Sequence, residues 1–271
     1  YWIPFHLLFL ATKPQVFGQE MGAIDILARW SGVLGPIIGG LVISQLGFSG
    51  LFWWGIGMIL ISILPIWFLE PSKLSWDFHL GHYWEKLSSR WFRKDLLAFV
   101  GQGLEETMYG TIWPVVLFGI LGGSHLALGG YQTVTLLMGS LLVLFIGRKI
   151  DHEAVANYAR WAIVGLSVLW LARGYVSDKW VLLGIDTLRD WVAIFAFIPF
   201  GVYIYRRALT GDSPLYVVER EAAINIGRVL AVVLVGLILV LGGDWRWMVW
   251  IGIVGVFLIG LFPTYEADRK G

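Results

Sequence analysis

Long apolar runs separated by short polar connections dominate the chain. A hydrocarbon core of about 30 Å takes roughly 20 helical residues, and runs suited to it fall at 22–46, 49–69, 95–121, 126–147, 157–175, 180–205, 219–241 and 246–264, with a shorter one at 1–12. Leu136-Leu137-Met138-Gly139-Ser140-Leu141-Leu142-Val143-Leu144-Phe145 shows no apolar and polar alternation. The runs therefore predict helices and not barrel strands, which alternate over about ten residues. Helices also satisfy their own backbone groups in lipid. The first run, Tyr1 to Leu10, has neither the basic start nor the cleavage site of a signal peptide, and reads as the end of a helix.

Composition supports lipid as the main solvent. Of 271 residues 58% are apolar, only 14% are charged and 16 are Trp, while a soluble domain is about a quarter charged. A net charge of +1, with the basic residues dispersed, excludes a nucleic-acid partner. The absence of cysteine removes disulfides, thiolate nucleophiles and Cys-ligated metals. The five His form no metal set, and Gly101-Gln102-Gly103 lacks the Lys-Ser or Lys-Thr of a phosphate loop, so no cofactor and no enzymatic chemistry are expected.

The connections give an orientation. One alternate set holds Lys13; Lys73, Lys86, Arg90, Arg93 and Lys94; Arg148, Lys149 and Arg160; Arg206, Arg207 and Arg220; and Arg269 and Lys270. The other set holds only Arg173, Lys179 and Arg246. Basic loops stay in the cytoplasm, so the first set and the C-terminus are expected inside, in a multi-pass protein of the cell membrane. The longest polar interval, 71–94, interleaves Trp76, Phe78, Tyr83, Trp84, Trp91 and Phe92 with Lys and Arg, the pattern of a segment lying at the lipid headgroups. It divides the chain into three spans before it (1–70) and six after it (95–271).

The two ends repeat each other. Ile3-Pro4-Phe5 recurs as Ile198-Pro199-Phe200, Arg29 has a counterpart in Arg228, and Pro65 in Pro263. If spans one to three repeat as seven to nine, spans four to six lack partners. Three helices, about 100 residues, are then expected before Tyr1, completing two parallel six-helix repeats.

Two local patterns match that arrangement. Gly22, Ser31, Gly35-Pro36 and Gly39-Gly40 in the second span resemble the glycine-proline motif in the fifth helix of the major facilitator superfamily, especially its proton-coupled exporters, with Ser31 where that family has glycine. Gly147-Arg148-Lys149 followed by Asp151 resembles the second copy of the family's cytoplasmic loop motif. The resemblance implies an all-α polytopic membrane protein with major-facilitator-like bundles, the N-terminal one incomplete. It also implies a secondary active transporter that moves a small molecule by alternating access, coupled to protons. Read without the family, Gly35, Pro36, Gly39 and Gly40 form either a packing seam or a gating bend.

Charges inside spans need partners or a water-filled cavity. Glu105 and Glu106 lie about 16 Å of helix rise into the fourth span. Neighbouring positions differ by about 100° around a helix, so one of the two at most faces a given cavity squarely. Adjacent carboxylates in a low-dielectric setting resist joint ionisation, the property a proton carrier uses. The alternative is that Arg or backbone donors hold both as structural glue. Gln102 and Tyr109 are candidate cavity neighbours, and Trp113-Pro114 a kink above them.

Glu221, Asn225 and Arg228 share one helix face, and Asp25 and Arg29 are spaced i, i+4. Each set reads either as a latch near the cytoplasmic surface or as a substrate contact. Asp186, Arg189 and Asp190 read as a self-neutralising group near the outer side. The expected partners are membrane lipids, a small-molecule substrate and protons. The competing readings are a non-transporting scaffold or sensor and a membrane-embedded lipid-modifying enzyme.

Overall fold

The computed structural model describes residues 5–6, 17–68, 90–146, 155–210 and 213–261. Every described element is helical, with no strand among the described residues. The order is α1 (Phe17–Ile63), a 3-10 turn (Leu64–Phe68), α2 (Arg90–Thr107), a π-helical turn (Met108–Ile112), α3 (Trp113–Ile120), α4 (His125–Ile146), α5 (Val155–Tyr175), α6 (Lys179–Thr210), α7 (Ser213–Val240), a 3-10 turn (Trp245–Met248) and α8 (Val249–Ile259). The apolar runs from the second to the ninth each coincide with a helix or part of one. Residues 71–89 and the predicted loop motif Gly147, Arg148, Lys149 and Asp151 lie outside the described residues, as do Pro4 and Pro263 of the predicted repeat.

Two of the runs, 22–46 and 49–69, join as α1 and separate only at Gly47, whose φ of 68° is open to glycine and strained for other residues. Pro36 lies inside α1 without taking the backbone out of the helical region. The sharp change of direction belongs to the glycine. Gly242 (φ 75°) plays the same part after α7.

Proline acts differently in the fourth run. Pro114 has no N–H to give the carbonyl of Gly110, and its ring crowds that carbonyl. The helix widens there into the π turn before α3 begins. The predicted kink is thus a single continuous rod with one π turn, which re-aims Tyr109 and Trp113 sideways.

The helices pack through backbone-to-backbone seams. A Cβ on Gly103 would collide with the Ile224 carbonyl of α7, and one on Gly227 with the Val100 carbonyl of α2. On the opposite side of α2, a Cβ on Gly101 would lie 2.6 Å from the Gly255 carbonyl of α8. Residues 101 and 103 point about 200° apart, so Gly101-Gln102-Gly103 is a two-sided seam that fixes α2 between α7 and α8. A second seam joins α1 to α4: Gly129 faces the Pro36 carbonyl, and a Cβ on Gly40 would lie 2.9 Å from the His125 carbonyl. Thr133 Oγ1 donates to the Val33 carbonyl across the same contact at 2.8 Å. Gly35 has no atom near its missing Cβ, and Gly39 meets only a Leu51 methyl at 3.8 Å. Of the glycine-proline pattern, Gly40 and Pro36 therefore form the seam while Gly35 and Gly39 face open space or a side chain.

Beside an apolar core, the structure buries several charges and exposes many large apolar side chains. Glu105, Arg173, Asp186, Arg189 and Asp190 are buried, whereas Trp53, Ile59, Trp161, Val229, Leu237, Trp250 and Phe257 are exposed. Soluble domains seldom expose large contiguous apolar faces. Two helical stretches among the described residues, Trp30–Ile63 and Leu215–Val240, are long and apolar enough to cross a membrane.

Candidate functional site

The centre of the bundle is an ionic network built by the rod of α2 and α3 together with α4, α5 and α6. Glu105 and Glu106 diverge around α2 into separate surroundings. Glu105, 2% exposed, pairs closely with Arg189 Nη2 of α6. Glu106, 37% exposed, pairs with Arg228 Nη2 of α7 at 2.9 Å.

On the Glu105 side, Arg189 Nη1 also donates to Asp190 Oδ1 at 3.0 Å, and Tyr109 Oη donates to the same oxygen at 2.7 Å. The Arg189 guanidinium lies 3.5 Å from the centre of the Tyr109 ring. Asp186, one turn earlier on α6, is saturated with donors. Trp113 Nε1 and Tyr131 Oη each reach its Oδ2 at 2.8 Å, and Arg173 reaches Oδ1 through Nε at 2.8 Å and Nη2 at 2.6 Å. Arg173 is fully buried, its guanidinium 4.4 Å from the Trp170 ring centre, 4.8 Å from that of Trp113 and 5.2 Å from that of Tyr109. Aromatic faces take over part of the hydration that a buried guanidinium loses.

On the Glu106 side, Gln102 Nε2 donates to Glu106 Oε1 at 2.7 Å, and Arg228 Nη1 donates to Asn225 Oδ1 at 3.1 Å. Asn225 is exposed, and its amide also donates to the Glu221 carbonyl at 2.8 Å. The side chains Gln102, Glu106, Asn225 and Arg228 thus form a continuous polar stripe on the open side of the α2–α7 contact. Glu221 turns away to Arg220 Nη1 at 2.6 Å, with His6 Nε2 at 3.7 Å. Further along α2, Asp95 is buried within 3.3 Å of Tyr203 Oη, 3.4 Å of Tyr216 Oη and 3.8 Å of Arg207 Nε.

Set beside the sequence expectations, the structure brings Glu106, Gln102, Asn225 and Arg228 together and moves Tyr109 to the other side, against Asp190. Glu221 does not share in the Arg228 contact, although it shares its helix face. Asp25 and Arg29 lie in α1, and their side chains are outside the described set. Two corrections concern connection. Asp186, Arg189 and Asp190 are not a self-contained group: Arg189 also pairs with Glu105, near the C-terminal end of α2. Arg173 is not a surface loop residue either, since it is the buried counter-ion of Asp186. One signal pointed there: two Asp against one Arg on α6 leave a negative charge that calls for a cation on a neighbouring helix.

Comparison with known proteins adds one relative. The chain is 26% identical over 247 residues, 86% of its length, to the "Uncharacterized protein YqgE" of Bacillus subtilis (strain 168). It spans about half of that protein, 56%. No family model matches the chain, and no solved structure does.

Proposed function

We propose that the chain forms part of a secondary active transporter that moves a small molecule by alternating access, coupled to protons, and that it is a multi-pass protein of the cell membrane with major-facilitator-like bundles. The observation that carries this reading is the pair of ionic systems on neighbouring residues of one helix, one sealed and one open. A rigid scaffold gains little from burying five ionisable side chains, because replacing such groups with apolar ones is often neutral or stabilising. Ionisable residues inside spans otherwise mark substrate and ion pathways.

The division suggests a division of labour. The open stripe of Gln102, Glu106, Asn225 and Arg228 contacts substrate, with Arg228 suited to an anionic group and Glu106 to a cationic one. The sealed Glu105–Arg189 pair carries coupling, because it ties α2 to α6 and can be made or broken as charge changes. Gly47 and Gly242, both with positive φ and 195 residues apart (47 against 242), fit the predicted repeat of the first and last spans. Burial of Arg173 leaves the non-cytoplasmic connections with Lys179 and Arg246 alone, which favours the predicted orientation.

The absence of native cysteine makes the test clean. Single cysteines at Ser88 and Gly211 should stay shielded from an impermeant thiol reagent in intact cells, and one at Ser124 should label; labelling of all three, or of Ser88 alone, overturns the topology. Proteoliposomes of the full chain enclosing a pH-sensitive dye, challenged with pools of small solutes, should show solute-linked proton movement. Glu106→Gln should shift the solute concentration giving half-maximal rate, and Glu105→Gln should flatten the pH dependence. Correct topology without solute-linked proton movement would instead favour a scaffold or sensor.

A further inference from the structure

The open stripe is a dipole of fixed direction. Glu106 and Arg228 face each other across the α2–α7 contact at 2.9 Å, each 37% exposed, so the stripe attracts cations at one end and anions at the other over the span of a single ion pair. The flanking amides hold both ends. Asn225 turns its oxygen to the guanidinium at 3.1 Å and its nitrogen to the Glu221 carbonyl at 2.8 Å, while Gln102 turns its nitrogen to the carboxylate at 2.7 Å. Gln102 Oε1 is thereby left buried without a hydrogen-bond partner, an acceptor at the carboxylate end. An unpaired buried acceptor is costly, and a ligand that brings several N–H donors to Glu106 satisfies it as well.

These features select the charge type of a ligand. An anion drawn to Arg228 is repelled by Glu106 beside it, and a cation drawn to Glu106 is repelled by Arg228, so attraction and repulsion largely cancel for a single charge. A molecule that carries both charges lies antiparallel to the pair and gains at both ends. Its carboxylate takes the guanidinium N–H groups that Glu106 and Asn225 leave unused, and its ammonium donates to the Glu106 carboxylate and the Gln102 oxygen. Because the two charges of the site touch, those of the ligand have to sit on the same or adjacent carbons. We infer that the stripe binds a small zwitterion of this kind, an α- or β-amino acid with an uncharged side chain. The inference rests on the transport reading, in which charges inside spans line a water-filled path, and deepens it by giving the substrate class. The binding itself can be measured without transport.

The test uses the purified full chain in lipid nanodiscs, with melting temperature followed against β-alanine and the α-amino acids with uncharged side chains, one at a time. Each that shifts it is compared with analogues that lack one or both charges; for alanine, propionate carries the anion alone, ethylamine the cation alone and lactamide neither. The zwitterion should raise the wild-type melting temperature saturably, while its analogues at the same concentration leave it in place. Glu106→Gln should lose the response to the zwitterion and gain one to the single anion, and Arg228→Met should lose it and gain one to the single amine. A pair with only a structural role would show no such exchange of preference. Should either variant fail to fold, the analogue series on wild type decides. A wild type that responds to no zwitterion, or as strongly to a single ion or to the neutral analogue, overturns the site, and so do folded variants that keep the wild-type preference. Zwitterion binding without solute-linked proton movement overturns the transport reading alone, and proton movement linked only to solutes of another charge type overturns this substrate class alone.

Discussion

Glu105 and Glu106 are consecutive residues of the same type, yet they meet opposite physical conditions. The first is sealed among α2, α6 and the π turn, where its guanidinium partner is shared with a second buried carboxylate. The second lies 37% exposed on the α2–α7 stripe, with a partner exposed to the same degree. One residue of helix turns the side chain by about 100°, and the glycine seams bring the neighbouring helices close enough for that turn to decide everything else. In the sealed pair, removing one partner strands a charge; in the open pair, water replaces the loss. Structural weight and functional availability are therefore divided between two neighbours, and each can be altered without the other.

The largest effect is expected from Arg189→Met. It leaves Glu105 and Asp190 buried without a cation, and breaking a buried pair costs about 3–5 kcal/mol. The melting temperature of the purified protein should drop steeply. Adding Glu105→Gln and Asp190→Asn removes the stranded charges and should recover most of that loss. If Arg189→Met alone is tolerated, the sealed side is wetter than its burial indicates, and the contrast between the two glutamates disappears.

The sequence showed this division only in part. The angular separation of Glu105 and Glu106 follows from helix geometry alone, and Pro114 marks the place where the rod takes its π turn. The helical runs were legible because they are long and mostly apolar, which makes their lengths easy to see. Partner choice was not legible. The spacing of Asp186, Arg189 and Asp190 within the run at 180–205 reads as a self-neutralising group, whereas Arg189 also takes a partner, Glu105, on another helix. Arg173, near the end of its run, looked like a loop cation for the same reason. Nothing in a run of apolar residues says which neighbour it meets, and charges inside helices take their meaning from that neighbour. In the sequence Gly101 and Gly103 read only as an incomplete phosphate loop, although two glycines on opposite sides of a helix are also what a rod packed on both sides requires.

An intermediate effect is expected from Gly103→Ala. The added Cβ would meet the Ile224 carbonyl and lie 3.0 Å from the Arg228 amide nitrogen, so α2 and α7 have to separate. Overpacking of this kind costs about 1–3 kcal/mol. The Glu106–Arg228 pair spans that seam and should loosen, while Glu105–Arg189, on the α6 side, should survive. Cross-linking of cysteines placed at positions 106 and 228 should fall in the Gly103→Ala background, and that of cysteines at 105 and 189 should not. Equal loss at both would show that the two sides are one mechanical unit.

The smallest effect on stability is expected from Arg228→Met, and it sharpens the comparison most. Half-exposed ion pairs contribute on the order of 0–1 kcal/mol and are weakened by salt, so the melting temperature should change little and the difference from wild type should shrink as ionic strength rises. Met keeps the length and the apolar stem of the side chain, which separates the charge from the packing against α2. If the open stripe is where substrate binds, this nearly silent change in stability should accompany a loss of solute-linked proton movement in proteoliposomes, through weaker solute binding and not through a shift in pH dependence. A variant that is stable, binds solute as wild type does and changes only its pH response would place coupling on the Glu106 side, reversing the roles of the two glutamates.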